Sequence, residues 1–131
     1  MSNVADFFAN KIIDHMLRNE AYTPATTIYV GLNTTSPGDD DSGNEVSGGS
    51  YAREAVTLTA AASRGTDNTG DEVSFTEATG SWGNVGFVKL MDALSSGNMF
   101  AWGAVDTAKD IGTGDTATIA SGALSFEFTA T

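Results

Sequence analysis

The sequence predicts a mainly β fold, namely a jelly-roll-like β-sandwich or barrel of about seven or eight strands with one N-terminal α-helix. Several short segments alternate apolar and polar residues, which is typical of strands with one buried face. Turns rich in glycine, serine and aspartate separate these segments at fairly regular spacing. Only one segment, close to the N-terminus, carries apolar residues at helical spacing. Many short strands and one helix favour a sandwich or barrel over a helical bundle.

The predicted helix covers residues 2–18, and Ser2 is suited to cap its N-terminus. Its apolar residues form two adjacent i, i+4 rows, which are Val4, Phe8, Ile12 and Met16, and Ala5, Ala9, Ile13 and Leu17. Together the rows cover about half of the helix surface, whereas a surface helix needs an apolar stripe of only about 100°. Phe7 projects beyond them, near Asn10 and Asp14. We therefore expect part of the helix to contact another subunit or a larger scaffold; the alternative is a helix that only plugs the end of the sandwich.

The strands are predicted from alternation and from the turns between them. In the first strand, apolar Ile28, Val30 and Leu32 alternate with polar or small residues, and the last strand has the clearest alternation in the chain. The predicted strands are 26–33, 51–59, 72–76, 82–91, 99–106, 116–120 and 124–129.

The centre of the fold is predicted to be a hairpin from Trp82 to Asp106, with its turn at residues 92–98. Both arms are apolar on both alternation faces, so we expect the hairpin to be covered on both sides. Gly86 and Gly103 interrupt the arms, which indicates bulges or bends. Strict alternation divides the first arm into two faces, one with Val85, Phe87 and Met91 and the other with Val88 and Leu90.

The chain is predicted to be a single domain over residues 1–131, with the helix at 2–18 and the sandwich over about 26–129. A long loop at 34–50 is rich in glycine, serine and aspartate, and its acidic residues are Asp39, Asp40, Asp41 and Glu45. Their spacing does not match the calcium-binding loop of an EF-hand. We expect a solvated acidic surface loop, and we predict no metal site there.

Composition excludes several classes of partner. The formal net charge is -11, from 17 acidic and 6 basic side chains, which argues against binding to nucleic acid or to an anionic membrane. The absence of cysteine excludes disulfides and thiol chemistry. No apolar run reaches the roughly 18 residues of a membrane span, and no basic leader precedes an apolar block. We expect synthesis and folding in a cytoplasm, without a cofactor.

No catalytic constellation is present in the sequence. His15 is the only histidine, and a serine triad or metal site would need partners that no motif supplies. Glycine pairs such as Gly48 and Gly49 lack the lysine or the following helix of a phosphate-binding loop. The tryptophans and tyrosines suit the core, and stacking on sugar rings is the alternative. The sequence therefore predicts a protein that is not an enzyme.

Several segments resemble a family of small virion proteins of tailed bacteriophages. The most specific is Glu45-Val46-Ser47-Gly48-Gly49-Ser50-Tyr51-Ala52-Arg53, and weaker matches are residues 21–24, 28–32, 78–83 and 114–116. Members of the family are often labelled tail-fibre-like, and some resemble capsid cement proteins, which decorate the head. The resemblance implies a jelly-roll-like structural protein that forms a homotrimer and docks on the major capsid protein at the capsid surface, after synthesis in the host cytoplasm.

Two functions stay open at this point. The first is a capsid cement that stabilises the shell, and the alternative is a tail-associated protein that recognises the host surface, for example a glycan; a hydrolase is a distant third. The helix and the segment Glu45–Arg53 are the predicted interface, with Phe7, Asn10, Asp14, Glu45, Tyr51 and Arg53 as its residues. Arg53 is expected to pair with Glu45 or with a neighbouring subunit, and the alternative is an isolated surface cation.

Overall fold

The computed structural model describes residues 3–128, which have a mainly β fold with one short helix, as predicted. Its elements are β1 (Asn3–Val4), α1 (Asp6–Ile12), a π-helical turn (Ile13–Leu17), β2 (Ile28–Asn33), β3 (Glu54–Val56), β4 (Gly65–Asp67), β5 (Val73–Ser74), β6 (Gly83–Met91), β7 (Met99–Ile111), β8 (Thr118–Ile119) and β9 (Ser125–Glu127). Five strands form one antiparallel sheet in the order β1-β7-β6-β2-β3, while β4 pairs with β9 and β5 with β8. Jelly-roll topology stays a prediction.

The main core lies on one face of the five-stranded sheet, which we call the core face. Leu32 of β2 and Val88 and Leu90 of β6 belong to one buried cluster with Phe75, which follows β5, and Phe126 of β9. The two short ladders therefore pack as a second layer against the core face. This two-layer arrangement is consistent with the predicted β-sandwich.

The central hairpin is confirmed, and two register shifts change which side chains share a face. β6 and β7 pair antiparallel, with a shift at Gly86 and another between Leu90 and Met91. Because of the shift at Gly86, Val85 joins the core, whereas Phe87 lies beside Trp102 on the opposite face, with 6.2 Å between ring centroids. The predicted grouping of Val85 with Phe87 is wrong, since strict alternation holds only in an unbulged strand.

The opposite face of the sheet, which we call the second face, is covered by the loop 34–50 and the N-terminal residues. Ala5, Met91 and Met99 form a small buried cluster there. Pro37 of the loop is fully buried. The prediction of a hairpin covered on both sides is confirmed, but the prediction of a merely solvated acidic loop is wrong, because part of this loop packs on the sheet.

The N-terminal helix is shorter than predicted. Residues 3–4 pair with Trp102 and Ala101 of β7, and the Ala5 N–H donates to the Phe100 carbonyl at 2.9 Å. The chain thus stays on the sheet edge until Ala5, so the helix begins at Asp6 and has no side-chain cap. The predicted cap, Ser2, lies outside the described residues.

The strand bounds differ from the predictions mainly where a strand has few apolar residues. β7 continues to Ile111 rather than ending at Asp106, although most of its residues beyond Gly103 are exposed. β4 lies between the predicted strands 51–59 and 72–76, where no strand was predicted. β3 covers only three residues of the predicted 51–59. The predicted last strand also included Thr129, which lies outside the described residues.

Candidate functional site

Three of the predicted interface residues, Glu45, Tyr51 and Arg53, meet inside the molecule. Arg53 donates from Nε to Glu45 Oε2 at 2.8 Å and from Nη2 to Glu45 Oε1 at 2.7 Å, which is a bidentate pair. The Tyr51 hydroxyl donates to Glu45 Oε2 at 2.7 Å and accepts the Leu32 N–H at 2.9 Å. The predicted Arg53–Glu45 pair is present within the chain, so the alternative of an isolated surface cation is wrong.

Arg53 also fixes the tip of the β6–β7 hairpin. Its Nη1 donates to the Ala93 carbonyl at 2.8 Å and to the Ser96 carbonyl at 2.7 Å, and the residue is only 7% exposed. Asp92 closes the same turn by accepting from the backbone N–H and the side-chain amide of Asn98. In the isolated chain, Arg53 therefore makes its hydrogen bonds within the molecule. Its role in an interface stays a prediction.

Lys89 also belongs to this network, and sequence reasoning missed it. It lies on the second face of β6, between Gly31 of β2 and Trp102 of β7, and is 2% exposed. Its Nζ lies 2.8 Å from Asp41 Oδ1 and 3.3 Å from Glu45 Oε1. A lysine inside an otherwise apolar strand was the available signal, because a buried ammonium needs nearby carboxylates.

The surroundings of these groups shift their proton affinities. Burial works to raise the pKa of the Glu45 carboxyl, but hydrogen bonds from Arg53 and Tyr51 and the charges of Lys89 and Arg53 outweigh it, so this pKa is lowered. Hydrogen bonding to Glu45 raises the pKa of Arg53, and burial raises the pKa of Tyr51 well above its ordinary value. The network thus holds Glu45 as an anion and Tyr51 as a neutral hydrogen-bond donor.

The three predicted interface residues on the helix lie apart from this network and have different environments. Phe7 packs against Tyr22 and Phe100, with ring centroids 6.3 and 6.2 Å away, so it is partly buried within the chain, and its role in an interface stays a prediction. The segment after the helix folds back beside it and covers this part of the wide apolar surface. Asn10 is exposed, and Asp14 pairs with Arg18 at 2.9 Å on the surface.

The exposed apolar surface of the helix lies at its C-terminal end instead. Ile13, Met16 and Leu17 of the π-helical turn are 47%, 70% and 79% exposed. They continue the apolar rows that begin inside the molecule at Phe8, which packs against Phe100 and Phe126. We call these three residues the helix tip. Large apolar side chains exposed together in this way are typical of a contact surface.

The remaining acidic residues of the loop do not form a recognisable metal site. Asp39 Oδ1 accepts the Trp102 indole N–H at 2.9 Å, and Asp40 accepts the Ser42 N–H. Across residues 3–128, no group of three or more histidine, cysteine, aspartate or glutamate side chains has metal-binding geometry. In the same residues, no helix is long and apolar enough to span a membrane.

Comparison with known families gives one match. The family model described as Podophage GP4 fiber I protein gp80 matches residues 3–127, which is nearly the whole chain. No curated protein matches the chain. The matched region includes the charge network, the hairpin and the helix tip.

Proposed function

Because the chain belongs to the family of the Podophage GP4 fiber I protein gp80, a family of phage virion proteins, we propose that it acts without catalysis, as a capsid cement. In this role it forms a homotrimer on the major capsid protein and stabilises the head surface. The family match supports a structural role in the virion, and the exposed helix tip supports assembly with other subunits.

The helix tip is the observation that carries the proposal. Met16 and Leu17 expose most of their surface although they follow directly on α1, where Phe8 is partly buried against the core. Burial of such side chains contributes roughly 1.5–3 kcal/mol each, which the isolated chain does not gain. Contact of the helix tip with a neighbouring subunit recovers this free energy. In a closed trimer, three such contacts act together on one particle surface and raise the avidity of binding.

A role as a fibre protein is the second candidate function, and the description of the matching family as a fiber protein favours it. Recognition of a host glycan would need exposed aromatic rings. Trp82 is buried with its indole N–H on the Gly49 carbonyl, and Tyr51 packs against Trp82 and Phe75. These rings serve the core. Their positions therefore favour a fibre protein that acts by assembling with other subunits over one that binds a glycan.

The test replaces Met16 and Leu17 by serine together. The double variant should stay folded but lose self-association in sedimentation velocity and lose binding to heads that lack this protein. Leu94→Ser is the matched control, because Leu94 is 56% exposed at the tip of the hairpin. It should assemble like the wild type.

The location in the particle separates the two functions. An electron-microscopy map with this protein at three-fold positions of the shell supports cement, and density confined to a fibre or to the tail supports the second candidate. A wild-type chain that stays monomeric and does not bind heads at micromolar concentration would contradict both the trimer and the docking.

A further inference from the structure

The environment of Lys89 differs from that of an ordinary surface ion pair. Its side chain is 3% exposed, and the amine lies 2.8 Å from Asp41 Oδ1 with Glu45 Oε1 at 3.3 Å. On the neighbouring strand, a Cβ at Gly31 would lie 3.1 Å from Glu45 Oε2 and 3.2 Å from Lys89 Cε. A side chain at this position would require the lysine stem or the Glu45 carboxylate to shift by a few tenths of an ångström. The three groups thus form a compact lysine–aspartate–glutamate triad on the second face.

Asp41 is held in place by its neighbours in the loop. Its backbone has φ +57°, a left-handed conformation that costs a non-glycine residue free energy and persists only where surrounding contacts impose it. Asp39, two residues earlier, is anchored by two contacts, because its side chain accepts from Trp102 and its carbonyl accepts the Asp6 N–H at 2.9 Å. On the other side, the Ser42 N–H donates to the Pro37 carbonyl at 2.8 Å. The Asp41 carboxyl is therefore directed at the lysine amine by a fixed segment.

We propose that Lys89 and Asp41 condense into an intramolecular isopeptide bond, with Glu45 as the group that carries the proton. Two features of the site favour the reaction. The groups are already in contact, and such positioning replaces a bimolecular encounter by an effectively unimolecular step. The product is a neutral amide in place of a buried ammonium and a partly buried carboxylate, whose removal from water is unfavourable.

The reaction balances without any co-reactant. The Lys89 ammonium passes one proton to Asp41 Oδ1 across their hydrogen bond, and the free amine attacks Asp41 Cγ, which forms the C–N bond. The tetrahedral nitrogen then gives a proton to the ionised Glu45 carboxylate, and Glu45 returns it to the hydroxyl on Cγ. The C–O bond breaks, one water leaves, and the carbonyl re-forms. No atom is oxidised or reduced.

Arg53 and Tyr51 act as positioning residues in this scheme. Their three hydrogen bonds, of 2.7 to 2.8 Å, fix the Glu45 carboxylate beside the amine. The bond would join the loop 34–50 to the centre of the main sheet in a chain that has no cysteine to form a disulfide. This inference does not depend on the proposed trimer or on the position in the particle.

Intact mass measured on the denatured full chain tests the bond directly. The wild type should weigh less than its sequence by one water, and a proteolytic map should give a branched peptide that joins residue 41 to residue 89. A wild-type mass equal to that of the sequence, in folded protein aged until its mass is constant, overturns the proposal. A lost water that maps to any other pair of residues also overturns it.

Variants assign the roles. Asp41→Ala and Lys89→Arg should both have the full mass of their sequences, and Asp41→Asn should lose one ammonia instead of water. Asp40→Ala is the matched control, because Asp40 is the exposed neighbour in the same loop, and it should lose one water like the wild type. Glu45→Gln should form the bond many times more slowly; formation at the wild-type rate would remove Glu45 from the mechanism. The mass of the wild type alone decides whether the bond forms, so a variant that folds poorly does not change that conclusion.

Discussion

Before Lys89 and Asp41 condense, the second face of the sheet holds two negative and two positive charges, which belong to Asp41, Glu45, Arg53 and Lys89. A buried charge that loses its partner is strongly destabilising, because the remaining charge is neither hydrated nor paired. Each of these cations contacts a carboxylate of the loop 34–50. We infer that the charges make the position of this loop specific, since only one placement of the loop neutralises both cations.

Arg53→Met should destabilise the fold by about 3 kcal/mol, the lower end for a broken buried pair, because Glu45 keeps Lys89 and Tyr51 as partners. Urea denaturation followed by fluorescence measures the change. Arg18→Met is the matched control, since the Arg18–Asp14 pair is exposed and should contribute about 0.5 kcal/mol or less. Similar losses in the two variants would contradict the importance of the buried network.

The pH dependence of stability should report on Glu45. The pKa of this carboxyl is lower in the folded chain than its ordinary value of 4.5, so the ionised form stabilises the fold. That contribution is complete above pH 4.5 and is lost as the pH falls through the folded pKa. The stability difference between wild type and Glu45→Gln should therefore be largest near neutral pH and shrink below pH 4.5.

Comparison of these two chains separates the contribution of Glu45 from those of two other carboxyls, the exposed Asp40 and the partly exposed Asp67. Hydrogen bonds also lower the pKa of both groups, so they add their own acid sensitivity to wild type and variant alike. A difference between the two chains that stays constant from pH 7 to pH 3 would contradict the assignment.

At the scale of elements, the paired strands β2 and β6 hold the charge network together through Gly31. A Cβ at this position would lie within 3.1 to 3.2 Å of Glu45 and Lys89. Gly31→Ala should therefore destabilise the fold by about 1–3 kcal/mol, as overpacking of a core does. Gly86→Ala is the matched control in β6, because its nearest contact would be an ordinary 3.6 Å to Ala108. Thermal unfolding of both variants checks this. Equal melting temperatures would argue against close packing of Glu45 and Lys89 around Gly31.

The elements that the sequence predicted well are those with a long periodic pattern. β2 alternates along its length, and the β6–β7 hairpin has two long apolar arms around a turn, so their positions follow from local sequence. β1 and β4 have two and three residues, and their partners, such as Trp102 for Asn3, lie far away in the chain. Tertiary contacts stabilise such short strands, and no pattern in the local sequence predicts them.

Only part of the candidate site was likewise predictable from the sequence. The nearness of Glu45 and Arg53 in the sequence made their pairing one of two options, and this pair is present. The partners of Lys89 were not predictable, because the fold of an irregular loop decides which acidic residue reaches β6. The orientation of Phe7 depended in the same way on Tyr22, whose segment has no periodic pattern.

At the scale of the whole molecule, the buried network is neutral, so the net charge of -11 belongs to the rest of the chain. Copies of this protein therefore repel one another at low ionic strength. The proposed contact through the helix tip is apolar, and screening by salt does not weaken it. Self-association must overcome this repulsion, whereas binding to a basic partner surface would gain from the same charge.

Salt should consequently strengthen self-association. Raising the ionic strength from 0.1 M to 1 M shortens the screening length from about 10 Å to about 3 Å, which removes most of the repulsion between copies. The dissociation constant of the proposed trimer, measured for the wild type by sedimentation velocity across this range, should fall several-fold. The Met16→Ser, Leu17→Ser double variant should remain monomeric at every salt concentration, because screening alone provides no attraction. Self-association that weakens as salt rises would instead show that opposite charges hold the copies together, and it would contradict an apolar contact at the helix tip.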